Sequence, residues 1–252
     1  MSQMHSALID IWIMTKRNVL RYRRIPTLMV FSSIQPIMFL LLFNFVFGGA
    51  IAGDSYALFL IPGLMAQTML FGGTQTSVGL AEDMKSGIID RFKSLPINNA
   101  SPILGRAIAD GIRNIFVAII MVSIGYLIGF ELLNGVLPAI AGVLLITLFG
   151  FVFSWIMILV GLAVKDPESV NTASFLLVFP LSFASNVFVP IASMPGWLQA
   201  FVNNQPVTHA VTATRALLVT GEGYDSIWKL AIWMVIILAI FVPLSIRQYK
   251  KS

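Results

Sequence analysis

Residues 81–96, AEDMKSGIIDRFKSLP, hold Glu82, Asp83, Lys85, Asp90, Arg91 and Lys93, six of only 27 charged side chains in a 252-residue chain. Three chemistries use such residue types. A nucleotide site would draw on Gly79, Lys85 and Ser86, which stand at phosphate-loop spacing. Met84 occupies the place of the second required glycine, however, and an apolar segment rather than a strand comes before it, so the backbone cannot wrap phosphates there. Glu82 and Asp83 could act as an acid–base pair or as metal ligands. Neighbours on a helix point about 100° apart, and the chain's two histidines, His5 and His209, lie far away, so no metal site is expected. The third chemistry is an amphipathic helix over 80–96, with Leu80, Met84, Ile88, Phe92 and Leu95 as its stripe and Pro96 as its end. Arg91 falls inside that stripe and Ile89 outside it. So short a helix has little stability alone and needs a surface to dock on. The competing reading is a solvated loop resting on a bilayer.

The surrounding elements explain why the charges gather. The chain is 58% hydrophobic and 11% charged, where soluble domains average about 25% charged. Cysteine is absent, which excludes disulfides and thiolate metal sites. Six segments approach the ~20 apolar residues that cross a bilayer: 27–48, 56–78, 112–130, 136–164, 170–190 and 226–246. The second is the weakest, interrupted by Pro62, Gly63 and the polar run at 72–77. The fold class expected is therefore an all-α integral membrane protein with six transmembrane helices. With a cytoplasmic N-terminus, 14 of the 16 Lys and Arg fall in cytoplasmic segments and only Arg215 and Lys229 outside. That asymmetry puts both termini in the cytoplasm and residues 54 and 220–225 outside. It also argues against nucleic acid as a partner, since the basic residues are spread over every cytoplasmic segment. A cleaved leader would need a shorter apolar core than the first span has. Over 6–25, Leu8, Trp12, Thr15, Val19 and Tyr22 recur at helical spacing among five basic residues, which suits an amphipathic helix at the membrane interface or a solvated basic tail.

The stretch GIIDRFKSLP (87–96) followed by LGRAIADGIRN (104–114) resembles the permease subunits of type-2 ABC transporters, the daunorubicin/doxorubicin-resistance type above all. Its Gly87, Asp90, Arg91 and Pro96 match the family's loop between spans two and three, and Gly105, Arg106, Ala109 and Asp110 match the block after it. A second block at 179–218 is similar to the family's fifth span and following hairpin, through Met194, Pro195, Trp197, Leu198, Pro206, Thr208 and Arg215. The resemblance implies that 80–96 is a coupling helix docking on a separate ATPase, with Glu82, Asp83, Met84, Gly87, Ile88, Asp90, Arg91, Phe92 and Pro96 at the interface. It implies that 191–225 is an outer re-entrant helical hairpin, with Met194, Pro195, Gly196, Trp197, Pro206 and Arg215 at its gate.

Within that hairpin, Pro195, Gly196 and Trp197 are expected to form a tight turn, and His209 to be a hydrogen-bonded structural histidine. Gln35, Asn44, Gln67, Thr68, Gln75 and Asn186 are polar residues inside spans. They either line a pathway or dimer interface, or bond helix to helix. No acidic or basic residue is expected deep in a span, which argues against proton coupling. The expected function is the membrane subunit of an ATP-driven exporter for a hydrophobic or amphipathic drug or lipid-like molecule. Export of a lipid-linked polysaccharide or other envelope lipid is the alternative. The resemblance implies two permease copies, a homodimer or a pair with a closely related second permease, with two ATPase subunits that carry ATP and magnesium; this chain itself is expected to bind no cofactor.

Overall fold

The computed structural model describes residues 3–48, 56–98 and 100–251, so position 54 lies outside the described residues. Every regular element among them is helical. They are α1 (Gln3–Arg24), α2 (Pro26–Leu42, extended by a π-helical turn, Phe43–Phe47), α3 (Tyr56–Lys85), a short α4 (Ile88–Lys93), α5 (Ser101–Leu127) and α6 (Val136–Val164). Then come α7 (Pro167–Phe183), a 3-10 turn (Ile191–Ser193), α8 (Gly196–Val202), α9 (Pro206–Arg215, extended by a π-helical turn, Ala216–Thr220) and α10 (Asp225–Lys251).

Among the described residues four helices, α3, α5, α6 and α10, are long and apolar enough to cross a membrane. α3 is the least apolar of the four yet the most enclosed, with 78% of its apolar window buried against 22% for α10. It packs on α6, α7 and α5, while α10 leans on α6 and α9 from outside. The core reflects this, since Leu60, Leu64, Met65 and Met69 of α3 meet Phe149, Phe153 and Met157 of α6 with no exposure to solvent or lipid beyond 1%. Burying such side chains contributes about 1.5–3 kcal/mol each when the alternative is water.

Several bounds differ from those read in the sequence. Residues 80–96 are not one helix. α3 runs through to Lys85, the chain turns at Ser86–Gly87, and α4 is a separate piece of six residues. Gly87 is the cause, since its φ of +70° opens the left-handed region that ends one helix and re-aims the next. α5 begins at Ser101 rather than 112, because its charged first half is folded against other helices. α7 ends at Phe183, and residues 184–190 form no regular element. The segment over 136–164 is bounded by positive φ at Gly135 and Lys165, which stop α6 at both ends.

Candidate functional site

The elbow between α3 and α4 is built on a small core of its own. Ile89 of α4 is 3% exposed and packs with Leu80, Ile103, Trp155, Ile158, Leu162 and Tyr249. Those residues come from α3, α5, α6 and α10, so α4 is rooted in four other helices. Ile89 lay outside the expected stripe; the turn at Gly87 rotates α4 and brings it inward. Ile88 and Phe92 are half-buried, with the Arg17 guanidinium 4.8 Å over the Phe92 ring. Asp90, Arg91, Ser94, Leu95 and Pro96 face outward.

Asp83 is buried away from that outward surface, and Glu82, though exposed, is turned to α1. Glu82 pairs with Arg21 of α1 at 3.1 Å, and Asp83 with Arg106 of α5 at 2.7 Å. Met84 is half-buried on the last turn of α3, beside Lys85, which reaches Asp166 at 3.4 Å. The nine residues expected at one docking face thus divide between an internal seam and an outward elbow.

The seam continues up α3 and α5, which run antiparallel. Asp110 accepts hydrogen bonds from Tyr22 of α1 and Thr76 of α3, and pairs with Arg113 at 3.4 Å. Arg113 also donates to the Gly72 carbonyl at 3.1 Å and to Asn114 at 3.2 Å. Burial first, and then the Asp110 charge, push the Tyr22 phenol far above its usual range, so it remains a donor. The matched block 104–114 now has physical content. A side chain at Gly105 would meet Met14 and the Thr15 nitrogen of α1, at 2.5 and 2.8 Å, so only glycine lets the two backbones approach. An acidic and a basic residue are therefore buried within the bundle, on the first half of α5 beside α1. They are tolerated because each is paired and hydrogen-bonded.

Beside this seam lies an open groove of about 610 Å³ between α2, α3 and α7, with α1 and α5 at one end. Gln35, Gln67, Thr68 and Gln75 line it. Asn44 does not; it sits half-buried in the π-helical turn after α2. Asn186 belongs elsewhere, donating to Thr212 of α9 at 2.9 Å.

At the opposite end of the bundle α8 and α9 form the hairpin. Pro195, Gly196 and Trp197 open α8 rather than making a tight turn, with Pro195 capping the helix and Gly196 already helical. Met194 is buried and holds Gln199 through its carbonyl at 2.8 Å. Trp197 is 76% exposed, its ring directed away from the protein. Pro206 occupies the first turn of α9, where its missing N–H costs nothing. Arg215 donates to the Phe59 carbonyl at 2.9 Å and the Asn186 carbonyl at 3.1 Å, its guanidinium 3.9 Å from the Phe59 ring. His209 is half-buried, and its imidazole makes no hydrogen bond among the described residues.

Two features of this geometry have no local sign in the sequence. One is the bridge from Arg21 and Tyr22 to α3 and α5; the other is the capture by Arg215 of the Phe59 carbonyl of α3 and the Asn186 carbonyl of the irregular 184–190 segment. The only sequence signal for the first was the co-occurrence of charges in 16–24, 82–83 and 106–113.

Known proteins resemble this chain along most of its length. The daunorubicin resistance ABC transporter permease protein DrrB1 of Streptomyces coeruleorubidus is 32% identical over 241 residues, covering 94% of this chain and 84% of that protein. The probable doxorubicin resistance ABC transporter permease protein DrrC of Mycobacterium tuberculosis is 25% identical over 244 residues, covering 95% and 88%. The DrrB protein of the same organism is 30% identical over 183 residues, covering 72% and 63%. A model of the ABC-2 type transporter family matches residues 9–219, from α1 through the hairpin. The chain is a multi-pass membrane protein of the ABC-2 type transporter family.

Proposed function

We propose that this chain is the membrane-spanning subunit of an ATP-driven exporter, working with a separate ATPase on a hydrophobic or amphipathic drug or lipid-like cargo. The relatives named for daunorubicin and doxorubicin resistance support that cargo class. The observation that carries the coupling role is the elbow: an outward Asp90, Arg91, Leu95 and Pro96, fixed to four helices through the single anchor Ile89. A push on such a surface moves the bundle rather than a loose loop.

In this reading six segments cross the membrane. α2 with its π-helical turn is the first. α7 spans about 26 Å at 1.5 Å per residue, short of a ~30 Å core, and residues 184–190 complete the fifth crossing. Irregular backbone at that depth needs a protein cover, and α9 supplies it. The basic asymmetry places α1, the elbow and both termini in the cytoplasm, and the hairpin on the outer side with Trp197 at the interface. Two copies form the conduit. The apolar residues exposed on α2 and α7, among them Val30, Met38, Phe175 and Leu176, flank the groove as a surface for a second copy or lipid.

The test is co-purification of the partner ATPase with elbow variants. Truncating a central interface anchor costs about 2 kcal/mol or more, and a rim charge much less. Phe92→Ala and Leu95→Ala should each reduce ATPase association and export strongly, and Lys93→Ala should not. Unchanged association in both truncations would remove the elbow as the docking surface. Labelling of a cysteine at position 90 from outside intact cells would overturn the orientation.

A further inference from the structure

The groove is not uniform along its length. Toward α2 and α7 its walls are apolar, with Ile34, Met38, Phe39, Phe71 and Phe175. Toward α1 and α5 it presents three guanidinium groups, Arg21, Arg106 and Arg113, against one carboxylate, Glu82. The carboxylates that pair with Arg106 and Arg113 are Asp83 and Asp110, 8% and 3% exposed, and neither lines the groove. Summed over the cluster the charges balance, so the field is directional: cations in front, anions behind. Arg23 and Arg24, exposed on the same last turn of α1, add further positive charge near that end.

The guanidinium of Arg106 is the best placed of the three. One of its nitrogens, Nη1, is taken by Asp83 at 2.7 Å. Its Nη2 and Nε have no hydrogen-bond acceptor among the described residues. Nη2 lies against Gly79, which itself lines the groove, and a Cβ at that position would collide with it. Gly79 therefore opens a berth that turns unused donors toward the groove. Arg21 is 38% exposed at its side chain and held only by Glu82, a pair weak enough to exchange. Two forked cations with free donors lining one groove suit the oxygens of a phosphate or similar oxyanion.

We infer that the groove binds an amphiphile by an anionic oxyanion headgroup held between Arg21 and Arg106, with its hydrocarbon portion along the apolar wall of α2 and α7. This rests on the exporter reading above and names the class of cargo, or of resident lipid, that the groove selects. The volume of about 610 Å³ accommodates a headgroup with part of one chain, within the ~300–1,000 Å³ of small-molecule sites.

The purified full chain in neutral maltoside micelles tests this, by native mass spectrometry and titration with dodecyl phosphate, dodecyltrimethylammonium and inorganic phosphate. Dodecyl phosphate should bind about tenfold or more tighter than either of the others, the scale of a charge-assisted hydrogen bond. Arg106→Gln should remove most of that preference. Because Arg106 also neutralises Asp83, Arg21→Gln serves as the variant that leaves the buried pair intact, and it should weaken binding by about tenfold. Arg24→Gln, nearby but not lining the groove, should leave binding within about twofold of the parent, as a screened surface charge does. Preference for the quaternary ammonium, lost in Glu82→Gln, would overturn the inference in favour of a cationic cargo. Inorganic phosphate binding as tightly as dodecyl phosphate would overturn the amphiphile. Cross-linking between copies through Gln35→Cys, with dodecyl phosphate binding undiminished, would show the groove filled by a second copy and overturn it too. ATPase co-purification with the same preparations separates the outcomes: if the ATPase associates while the headgroup preference fails, only this inference falls.

Discussion

Around the elbow the helices meet through side chains: Arg21 pairs with Glu82, Arg106 with Asp83, and Asp110, paired within α5 to Arg113, accepts from Tyr22 and Thr76. Beneath the hairpin the acceptors are backbone carbonyls instead. Arg215 serves those of Phe59 and Asn186, Tyr56 that of Phe188 at 2.9 Å, Gln205 that of Ala184, and Asn134 that of Ala216. The difference follows from what each end must satisfy. At the hairpin regular helix is broken inside the protein over 184–190, so the carbonyls of Ala184, Asn186 and Phe188 lack helical donors and take side-chain ones instead. At the elbow the backbone is helical almost throughout, and the groups needing partners are charges. Ion pairs between helices can exchange partners as helices shift; a carbonyl clamp holds one geometry. The elbow end is thus suited to receive motion and the hairpin end to resist it.

The largest expected effect lies in the buried part of the seam. Asp110→Leu leaves Arg113, whose side chain is 5% exposed, without its carboxylate, and strands the Tyr22 hydroxyl, while that of Thr76 keeps the Gly72 carbonyl at 3.2 Å. Breaking a buried pair on one side costs about 3–5 kcal/mol. The unfolding midpoint of the purified chain should drop steeply, and the double variant Asp110→Leu, Arg113→Leu should recover most of the loss. A cost no greater than that of an exposed pair would mean the seam is not structural.

Arg215→Leu is expected next. It removes the donors of two carbonyls under the hairpin and the contact with the Phe59 ring. With hydrogen bonds from a charged donor worth about 1.5–3 kcal/mol each, a loss of about 3 kcal/mol is expected in the unfolding midpoint, together with impaired export. Arg215→Lys should restore less than half, since an ammonium lacks the planar fork. Retention of ATPase association in both variants would separate the two ends, as the comparison requires; its loss would join them.

These contrasts also explain what could be read from the sequence. Hydropathy reports contact with lipid, so it finds α6 and α10 readily and undervalues α3, the helix most enclosed by protein. Thr74, Thr76 and Ser77 of the run that made α3 look interrupted are buried among other helices. Pro62 did not end it, lying in the second turn of a helix held by its packing on α6, α7 and α5. The first half of α5 was hidden for a related reason. Arg106, Asp110 and Arg113 read as a solvated segment because their partners, Asp83, Tyr22 and Thr76, lie 23 to 88 residues away. At the elbow the motif residues were visible but the rotation imposed by one positive φ was not, which is why Ile89 and Ile88 exchanged roles. The carbonyl clamp of Arg215 was illegible in principle, since a backbone oxygen carries no residue type.

A smaller effect should come from Gly87→Ala. A left-handed φ costs an L-residue about 1–2 kcal/mol, and nothing lies within 4 Å to clash with the added methyl. The strain should be relieved by re-aiming α4, so ATPase co-purification should fall more than the stability of the bundle. Gly87→Asn, which tolerates that region better, should recover part of it. A loss of stability with normal co-purification would place the strain in the core around Ile89 and not at the docking surface.

The smallest effect belongs to the exposed turn between α6 and α7. Asp166 caps α7, accepting from the backbone nitrogen and the hydroxyl of Ser169, both at 3.0 Å, and from Lys85 at 3.4 Å. The Ser169 backbone bond, then its hydroxyl, then Lys85 hold the Asp166 carboxyl below its ordinary value of 3.8. A carboxyl lowered on folding adds stability that is fully present above its unfolded value. That contribution fades as the pH falls from there through the lower folded value. Asp166→Ala should therefore lower the unfolding midpoint slightly near neutral pH, and the difference from the parent should close in acid below about pH 4, where both aspartate states become protonated. Asp166→Asn keeps the cap without the charge, so it should retain most of the neutral-pH stability and lose the acid dependence. If Lys85→Ala instead reproduces the whole effect of Asp166→Ala, the exposed ion pair and not the cap would be the active element, and even this turn would belong with the charge-paired end of the molecule.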